Sequence, residues 1–258
     1  DYVEYAAQRG LHIFCEKPLD LTLQRVKEVL HIVKMQDVKL MLGFNRRFDK
    51  EFKKVKELIQ KNAIGDIHLV KTTSRDPGAP PIDYIKRSGG LFLDMAIHDF
   101  DMARFIVGSE VREVYATGAA MTDPEIGIVG DIDTAITILT FYNGVKAVID
   151  NSREASYGYD QRLEVFGSKG MIQSNNNFQD AHQLFDAYGT HSSLPLHFFL
   201  ERYEKAYKNE MLNFIECLVS GMEMPVTGVD GLKSLQIGLA AKKSISEGRP
   251  VAIGEIDE

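Results

Sequence analysis

The chain of 258 residues has few cysteines, no excess of positive charge and no long apolar run. Cys15 and Cys217 lie far apart and outside any CxxC pattern, so we expect neither a disulfide nor a zinc site. The net charge of −7 argues against nucleic acid and anionic membranes as partners. No stretch has the length of a membrane span and no signal peptide opens the chain, so we expect a cytoplasmic protein.

Several signatures of enzyme sites are missing as well. The seven histidines form no HxxxH or HExxH pair, and no GxSxG elbow occurs, so we expect neither a metal site nor a hydrolase triad. The GxGxxG fingerprint of dinucleotide-binding proteins is also absent.

The first 44 residues alternate between helical and strand patterns. Residues 11–15 and 38–44 are short, continuously apolar runs, which is typical of strands buried on both faces of a parallel sheet. Helical patterns occupy residues 2–9 and 23–35. This order predicts a parallel, right-handed α/β unit.

The rest of the chain predicts a different architecture. Hairpin signals, among them Asn143-Gly144, separate short strand patterns, and two long helical patterns occupy residues 203–219 and 229–246. We therefore expect an α+β region with a mostly antiparallel sheet and helices on one face.

Residues 91–107 form the most unusual stretch, because a predicted helix that is apolar almost all round carries three ionisable groups on one stripe. Asp94, His98 and Asp101 are spaced i, i+4 and i+7. Either Asp94 orients His98 as a general base, or the stripe is a buried ion-pair network in which Arg104 pairs with Asp101. A metal held by all three is disfavoured, because they span two helical turns.

A set of short motifs, in this order and spacing, supports the first reading. Glu16-Lys17-Pro18 ends the first strand pattern, residues 43–49 read GFNRRFD, and Gly89-Gly90 precedes the Asp94/His98 stripe. Residues 157–162 (YGYDQR), 167–170 (GSKG) and 248–251 (GRPV) continue the series. Together they resemble the glucose–fructose oxidoreductase/inositol dehydrogenase (Gfo/Idh/MocA) family over essentially the whole chain.

The resemblance implies two domains and a redox activity. Residues 1–44 would be the C-terminal part of a Rossmann domain for NAD or NADP, and residues 45–258 a substrate-binding and oligomerisation domain. The enzyme would move hydride from a CH–OH group of a cyclic polyol or sugar. A homo-oligomer, dimer or tetramer, would form through the open sheet.

The resemblance also implies roles for individual residues. Lys17 would bind the reacting hydroxyl near the nicotinamide, and His98, oriented by Asp94, would take the alcohol proton. The proline after the lysine is often cis in this family. Alone, Lys17 would more often be a solvated lysine, but the carboxyl end of a buried parallel strand is where such sheets bind ligands.

Four further residues are implied to bind ligands. Glu16 would lie by the cofactor ribose and Asn45 near the nicotinamide, while Arg46 and Tyr157 would contact substrate hydroxyls. Taken alone, Arg46 would be a surface charge and Tyr157 a packed loop aromatic. Because Arg46 and Arg47 are adjacent, at most one of them is expected in the cleft.

The missing fingerprint leaves a second hypothesis open. The chain begins where roughly the last third of a Rossmann domain is expected, so it would be a fragment or short form of a longer enzyme, or a catalytically silent relative. In the silent form it would bind a polyol or pair with a full-length homologue through its open sheet.

Overall fold

The computed structural model describes residues 1–256 of the chain. Its α-helices are α1 (Tyr2–Ala7), α2 (Leu23–Met35), α3 (Lys50–Gln60), α4 (Ile82–Ser88), α5 (Gly90–Asp94), α6 (Ile97–Val107), α7 (Pro124–Ile128), α8 (Phe199–Ser220) and α9 (Gly228–Glu247). Its β-strands are β1 (Ile13–Glu16), β2 (Leu40–Gly43), β3 (Ile67–Arg75), β4 (Val111–Ala119), β5 (Thr134–Phe141), β6 (Lys146–Ser152), β7 (Asp160–Gly167), β8 (Gly170–Ser174), β9 (Gln183–Asp186), β10 (Gly189–Ser192) and β11 (Val251–Ala252). Short 3₁₀ helices occupy Asn45–Phe48 and Ile253–Ile256.

The first 44 residues form the predicted α/β unit. Strands β1 and β2 pair in parallel, with Ile13 opposite Leu40 and Glu16 opposite Gly43. Helix α2 connects them and buries Val26, which belongs to the predicted apolar stripe. Both strands end at the same edge, so the residues that follow them come close together.

The larger sheet has seven strands in the order β11-β4-β5-β6-β3-β7-β8. Neighbouring strands run antiparallel except β3 and β6, which are parallel. Helix α9 packs on one face of this sheet through β4. The predicted fold class, a Rossmann-type α/β unit followed by an α+β region with a mostly antiparallel sheet, is confirmed.

The continuous helix predicted over residues 91–107 is wrong. The amides of Met95 and Ala96 both donate to the carbonyl of Leu91, and the chain turns before α6 begins at Ile97. The i, i+4 relation of Asp94 and His98 is therefore lost. Apolar periodicity could not reveal this break, because the residues on both sides of it are buried.

Several structural elements lack a predicted counterpart. Helices α4 and α7 and the isolated hairpin of β9 and β10 lie in stretches without a clear periodic pattern, and β11 has only two residues. Among the described residues, no helix combines the length and apolarity that a membrane crossing would need.

Buried apolar side chains form two clusters. The larger lies between the seven-stranded sheet and its helices and includes Phe100 and Tyr203. The smaller surrounds β1 and β2 and takes Cys217 from α8, so this helix contributes to both clusters. The domain boundary at residue 44 stays a prediction.

Helix α8 also buries a carboxyl group against the α/β unit. Glu210 is 2% exposed, and its Oε2 atom has no hydrogen-bond partner in the described structure. Burial, together with the charge of Glu16, raises the pKa of Glu210 from 4.5 to about 8. The folded protein therefore keeps a proton on Glu210 at neutral pH.

This proton makes stability depend on pH in a defined direction. Between about pH 4.5 and pH 8 the unfolded chain loses the Glu210 proton and the folded chain retains it, so stability falls as pH rises. We expect Glu210→Gln to stabilise the protein at pH 8 by roughly 2–4 kcal/mol, a shift of several degrees in Tm, with no gain near pH 4.5. Thermal unfolding followed by circular dichroism measures this difference.

Glu204→Gln is the matched control, since Glu204 is an exposed glutamate on the same helix. A Glu210→Gln variant with the same pH dependence of Tm as the wild type would contradict the assignment.

Candidate active site

A cavity of about 660 Å³ lies beside the carboxyl ends of β1 and β2. Parallel sheets characteristically bind ligands at this edge. Five of the residues predicted for the site line the cavity: Lys17, Asn45, Arg46, Asp94 and His98. Its volume is typical of a pocket for a small molecule.

Lys17 follows directly after β1, and its peptide bond to Pro18 is cis. Its ammonium group donates to the backbone carbonyl of Asp94 at 2.5 Å and lies 3.6 Å from Asp94 Oδ1. Burial lowers the pKa of Lys17, and the charge of Asp94 opposes this shift. The lysine is thus a part-buried hydrogen-bond donor and not a solvated surface charge.

His98 lies in the first turn of α6 with its ring edge-on to Phe44. Its Nδ1 atom is buried and lacks a hydrogen-bond partner in the described structure. Burial lowers the pKa of His98 well below 6.5, and the charges of Lys17 and Arg46 add to the shift. The imidazole is therefore neutral at pH 7 and can accept a proton.

Asp94 does not orient His98 as the sequence predicts. Its carboxylate accepts from the Tyr84 hydroxyl at 2.8 Å, from the Arg153 guanidinium at 3.3 Å and lies beside Lys17. The physical reason is the break between α5 and α6, which changes the direction of Asp94 relative to His98. Asp94 is instead the common partner of three cavity residues.

The two adjacent arginines point to different partners. Arg46 lines the cavity and donates to Asp99 at 2.6 Å, whereas Arg47 binds Asp101 through two bonds of 2.8 and 2.6 Å. The expectation that at most one of them enters the cleft is confirmed. The predicted pairing of Asp101 with Arg104 is weak at 3.9 Å, because Arg47 occupies the carboxylate.

The predicted cofactor-binding residues lie at the two strand ends. Asn45 is 2% exposed, and its Oδ1 atom has no hydrogen-bond partner in the described structure. The carboxylate of Glu16 lies against Gly43, where a Cβ atom would be 2.6 Å from Glu16 Oε2. Glu16 itself does not line the cavity.

Tyr157 is not brought together with the other predicted residues. Its hydroxyl donates to Asp160 at 2.6 Å and accepts from Arg75, and the residue lies outside the cavity lining. The predicted contact of Tyr157 with substrate therefore has no support in this geometry. Tyr159, two residues further on, lines the cavity instead.

Among the polar cavity residues that the sequence analysis did not predict are Asp76, Tyr84 and Arg153. Asp76 follows the end of β3, and burial raises its pKa to about 6 against the opposing charges of Arg153 and Arg46. Asp76 and Arg153 lie in connections between elements and Tyr84 lies in the short helix α4, and no clear periodic pattern marks any of the three. For Asp76, its position directly after a strand was the available signal.

The described residues contain no group of three or more histidine, cysteine, aspartate or glutamate side chains that could hold a metal ion. Asp101, the third member of the predicted stripe, is held by Arg47 and is 1% exposed.

Parallel strands that end beside a cavity with a part-buried lysine and a neutral imidazole are compatible with an oxidoreductase of the nicotinamide-nucleotide class. Comparison with known proteins agrees with this class. Residues 1–44 match the oxidoreductase family with an NAD-binding Rossmann fold, and residues 52–173 match the GFO/IDH/MocA C-terminal domain. The chain belongs to the Gfo/Idh/MocA family of NAD-binding oxidoreductases.

Three relatives illustrate the similarity. The myo-inositol 2-dehydrogenase of Thermotoga maritima is 52% identical over 97% of this chain and 75% of its own length. The inositol 2-dehydrogenase of Rhizobium meliloti is 48% identical over 98% of this chain and 77% of its own length. A crystal structure of scyllo-inositol dehydrogenase from Lactobacillus casei with bound NAD(H) and scyllo-inositol superposes with a TM-score of 0.91 at 28% identity, covering 98% and 76% of the two chains.

The protonation state of His98 can be measured without any assay of activity. We expect nitrogen-15 NMR of the imidazole to report a neutral ring at pH 7, because burial and the charges of Lys17 and Arg46 hold the pKa of His98 well below 6.5. His98→Gln assigns the signal by its disappearance. An imidazolium signal for His98 that titrates at or above pH 6.5 would contradict the burial argument.

Proposed function

We propose that this protein uses NAD to oxidise a ring CH–OH group of a cyclic polyol of the inositol class. The observation that carries the proposal is the convergence of Lys17, His98 and Asp94 on one cavity at the ends of the parallel strands. The inositol dehydrogenases among the relatives support the substrate class. The residue roles below deepen this proposal.

The strand ends fit a nicotinamide nucleotide. Asn45 Oδ1 is a buried acceptor without a partner in the described structure, and buried acceptors of this kind require a donor such as an amide. Asn45, Lys17 and Glu16 would hold the cofactor, as the resemblance implies. When bound, NAD would supply the acceptor for the hydride that leaves the carbinol carbon.

His98 is the proposed general base. Its neutral ring lines the cavity, so it can accept the hydroxyl proton as the carbon–hydrogen bond breaks. The lowered pKa keeps the ring unprotonated before the reaction. The same cationic neighbours that lower this pKa, Lys17 and Arg46, favour release of the proton afterwards.

Lys17 is the proposed donor to the reacting oxygen. Its ammonium is held at 2.5 Å by the carbonyl of Asp94 and faces the same cavity as His98. A buried ammonium stabilises negative charge that develops on a substrate oxygen more strongly than a solvated one. Asp94 therefore acts by holding Lys17 and not by holding His98.

Three further polar side chains of the cavity would bind the other ring hydroxyls. Arg46 offers donors, Asp76 offers an acceptor, and the Tyr84 hydroxyl, whose proton goes to Asp94, offers a second acceptor. Hydroxyl groups donate and accept at once, so this mixture suits a polyhydroxylated ring.

Removing either proposed catalytic group should abolish most of the turnover. We expect His98→Ala and Lys17→Ala to lower kcat/KM for myo-inositol with NAD by about 10²–10⁴-fold, the usual cost of losing acid–base catalysis. The measurement follows NADH absorbance, and the assay uses the whole protein that the gene encodes.

Arg249→Ala serves as the control, since Arg249 does not line the cavity and lies in an exposed cluster with Glu247 and Glu255. Near-normal turnover in His98→Ala would refute the assignment of His98 as the general base. A wild-type protein that fails to bind NADH in a fluorescence titration would favour the silent-partner hypothesis.

The open face of the seven-stranded sheet is the proposed oligomer interface. It exposes a row of apolar side chains on the neighbouring strands β4 and β5, namely Tyr115 (38%), Ile136 (39%) and Ile138 (38%), and a separate one, Phe166 (47%), on β7. Tyr115 and Ile138 lie directly opposite each other on neighbouring strands. Contiguous exposed apolar surface of this kind is typical of an interface.

A charge placed in this row should break the assembly. We expect the wild type to elute as a dimer or tetramer and Ile138→Glu as a smaller species in size-exclusion chromatography with light scattering. Ile128→Glu is the control, because Ile128 is exposed on α7 and lies outside the sheet. An unchanged mass in Ile138→Glu would exclude this face as the interface.

A further inference from the structure

Arg153, in the connection that follows β6, is a fully buried cation with no role in the function proposed above. It is 1% exposed, and its backbone amide donates to the carbonyl of Asp133 at 2.8 Å. The guanidinium lies between two carboxylates, 3.3 Å from Asp94 and 3.9 Å from Asp131. An arginine is rarely buried without such partners.

The two carboxylates lie at opposite ends of α5. Asp131 accepts from the backbone amide of Leu91 at 3.1 Å, in the first turn of this helix, and Asp94 is its last residue. Asp131 also approaches Gly90 closely: a Cβ atom there would lie 2.5 Å from Asp131 Oδ1, and the φ of +79° favours glycine. Arg153 therefore connects to both ends of a five-residue helix.

The C-terminal end of α5 in turn holds Lys17. The backbone carbonyl of Asp94 accepts from the lysine ammonium at 2.5 Å, and Asp94 Oδ1 lies 3.6 Å from it. The other carboxylate oxygen, Oδ2, faces Arg153. The arginine thus fixes the carboxylate in the orientation that leaves Oδ1 for Lys17 and Tyr84.

We propose that Arg153 is a positioning residue that holds α5 in place. Through this helix it holds the backbone carbonyl oxygen and the Oδ1 atom of Asp94, and these two atoms place the Lys17 ammonium in the cavity. The proposal rests on the proposed function for its catalytic consequence, but the placement of Lys17 is measurable without activity. A short helix has little stability of its own, so its position depends on such external contacts. Lysine in place of Arg153 would keep the positive charge but would lose the planar arrangement of N–H donors that the guanidinium provides.

The test is the rate at which acetic anhydride modifies Lys17, measured by peptide mass spectrometry in the wild type, Arg153→Lys and Arg153→Met. Lys56 is the internal control, since its ammonium is also part-buried and donates to the carbonyl of Phe105 at 2.6 Å. We expect the Lys17 rate to rise roughly fivefold or more in both variants with Lys56 unchanged, because local opening exposes the ammonium.

Steady-state kinetics complete the test. In Arg153→Lys and Arg153→Met we expect kcat for polyol oxidation to fall by about 10–100-fold, while KM for NAD stays within about twofold. The reason is that displacing a positioned group lowers the reaction rate more than it weakens cofactor binding. Adding guanidinium chloride to Arg153→Ala, at a concentration that leaves the wild type unaffected, should restore part of kcat and should not restore Lys17→Ala.

The outcomes separate the two proposals. An unchanged Lys17 rate in both variants, or equal increases at Lys17 and Lys56, overturns the role of Arg153. Selective exposure of Lys17 in a protein whose wild type oxidises no polyol supports the role of Arg153 and refutes the proposed function.

Discussion

The buried pairing of Arg46 with Asp99 is the interaction on which the site depends. Arg46 follows the second parallel strand, Asp99 lies in α6 beside the large sheet, and the 2.6 Å bond joins the two regions at the cavity wall. Asn151 donates to the second Asp99 oxygen, so the carboxylate is satisfied on both sides. Removing one member of such a pair leaves an uncompensated buried charge, which typically costs about 3–5 kcal/mol. The arginine is therefore held in place where it lines the cavity.

The next residue, Arg47, is also held by buried carboxylates, but its partners lie away from the cavity. The two adjacent arginines therefore have different roles. Arg47 is directed away from the cavity and binds Asp101 and Asp230, which connects the 3₁₀ helix to α6 and α9. Their partners Asp99 and Asp101 lie two residues apart on α6, and side chains at this spacing do not share one face of a helix. One arginine is thus available to the cavity and the other anchors the helix that carries His98.

Hydrophobic periodicity predicted most of the fold because burial imposes it: helix α2 and the parallel strands follow their apolar patterns. It failed at Asp94, where the chain breaks between two helices that are both buried, so the pattern is apolar on either side. The site residues in the motifs could be named in advance, but their partners could not. Arg153 and Asp76 lie in connections that only the tertiary fold brings to the cavity. Tyr157 lies outside the cavity, where its hydroxyl is bonded to Asp160 and Arg75.

The charge balance of the site favours a neutral substrate over an anionic one. Three cations face or border the cavity, Lys17, Arg46 and Arg153, and each has a carboxylate partner nearby in Asp94 or Asp99. Asp76, whose pKa of about 6 leaves it ionised at pH 7, adds a third negative charge. A phosphate or carboxylate substrate would have to compete with these partners in a region of low dielectric. A ring of hydroxyl groups can instead donate to the carboxylates and accept from the cations without adding net charge, which is the chemistry that this cavity accommodates at least cost.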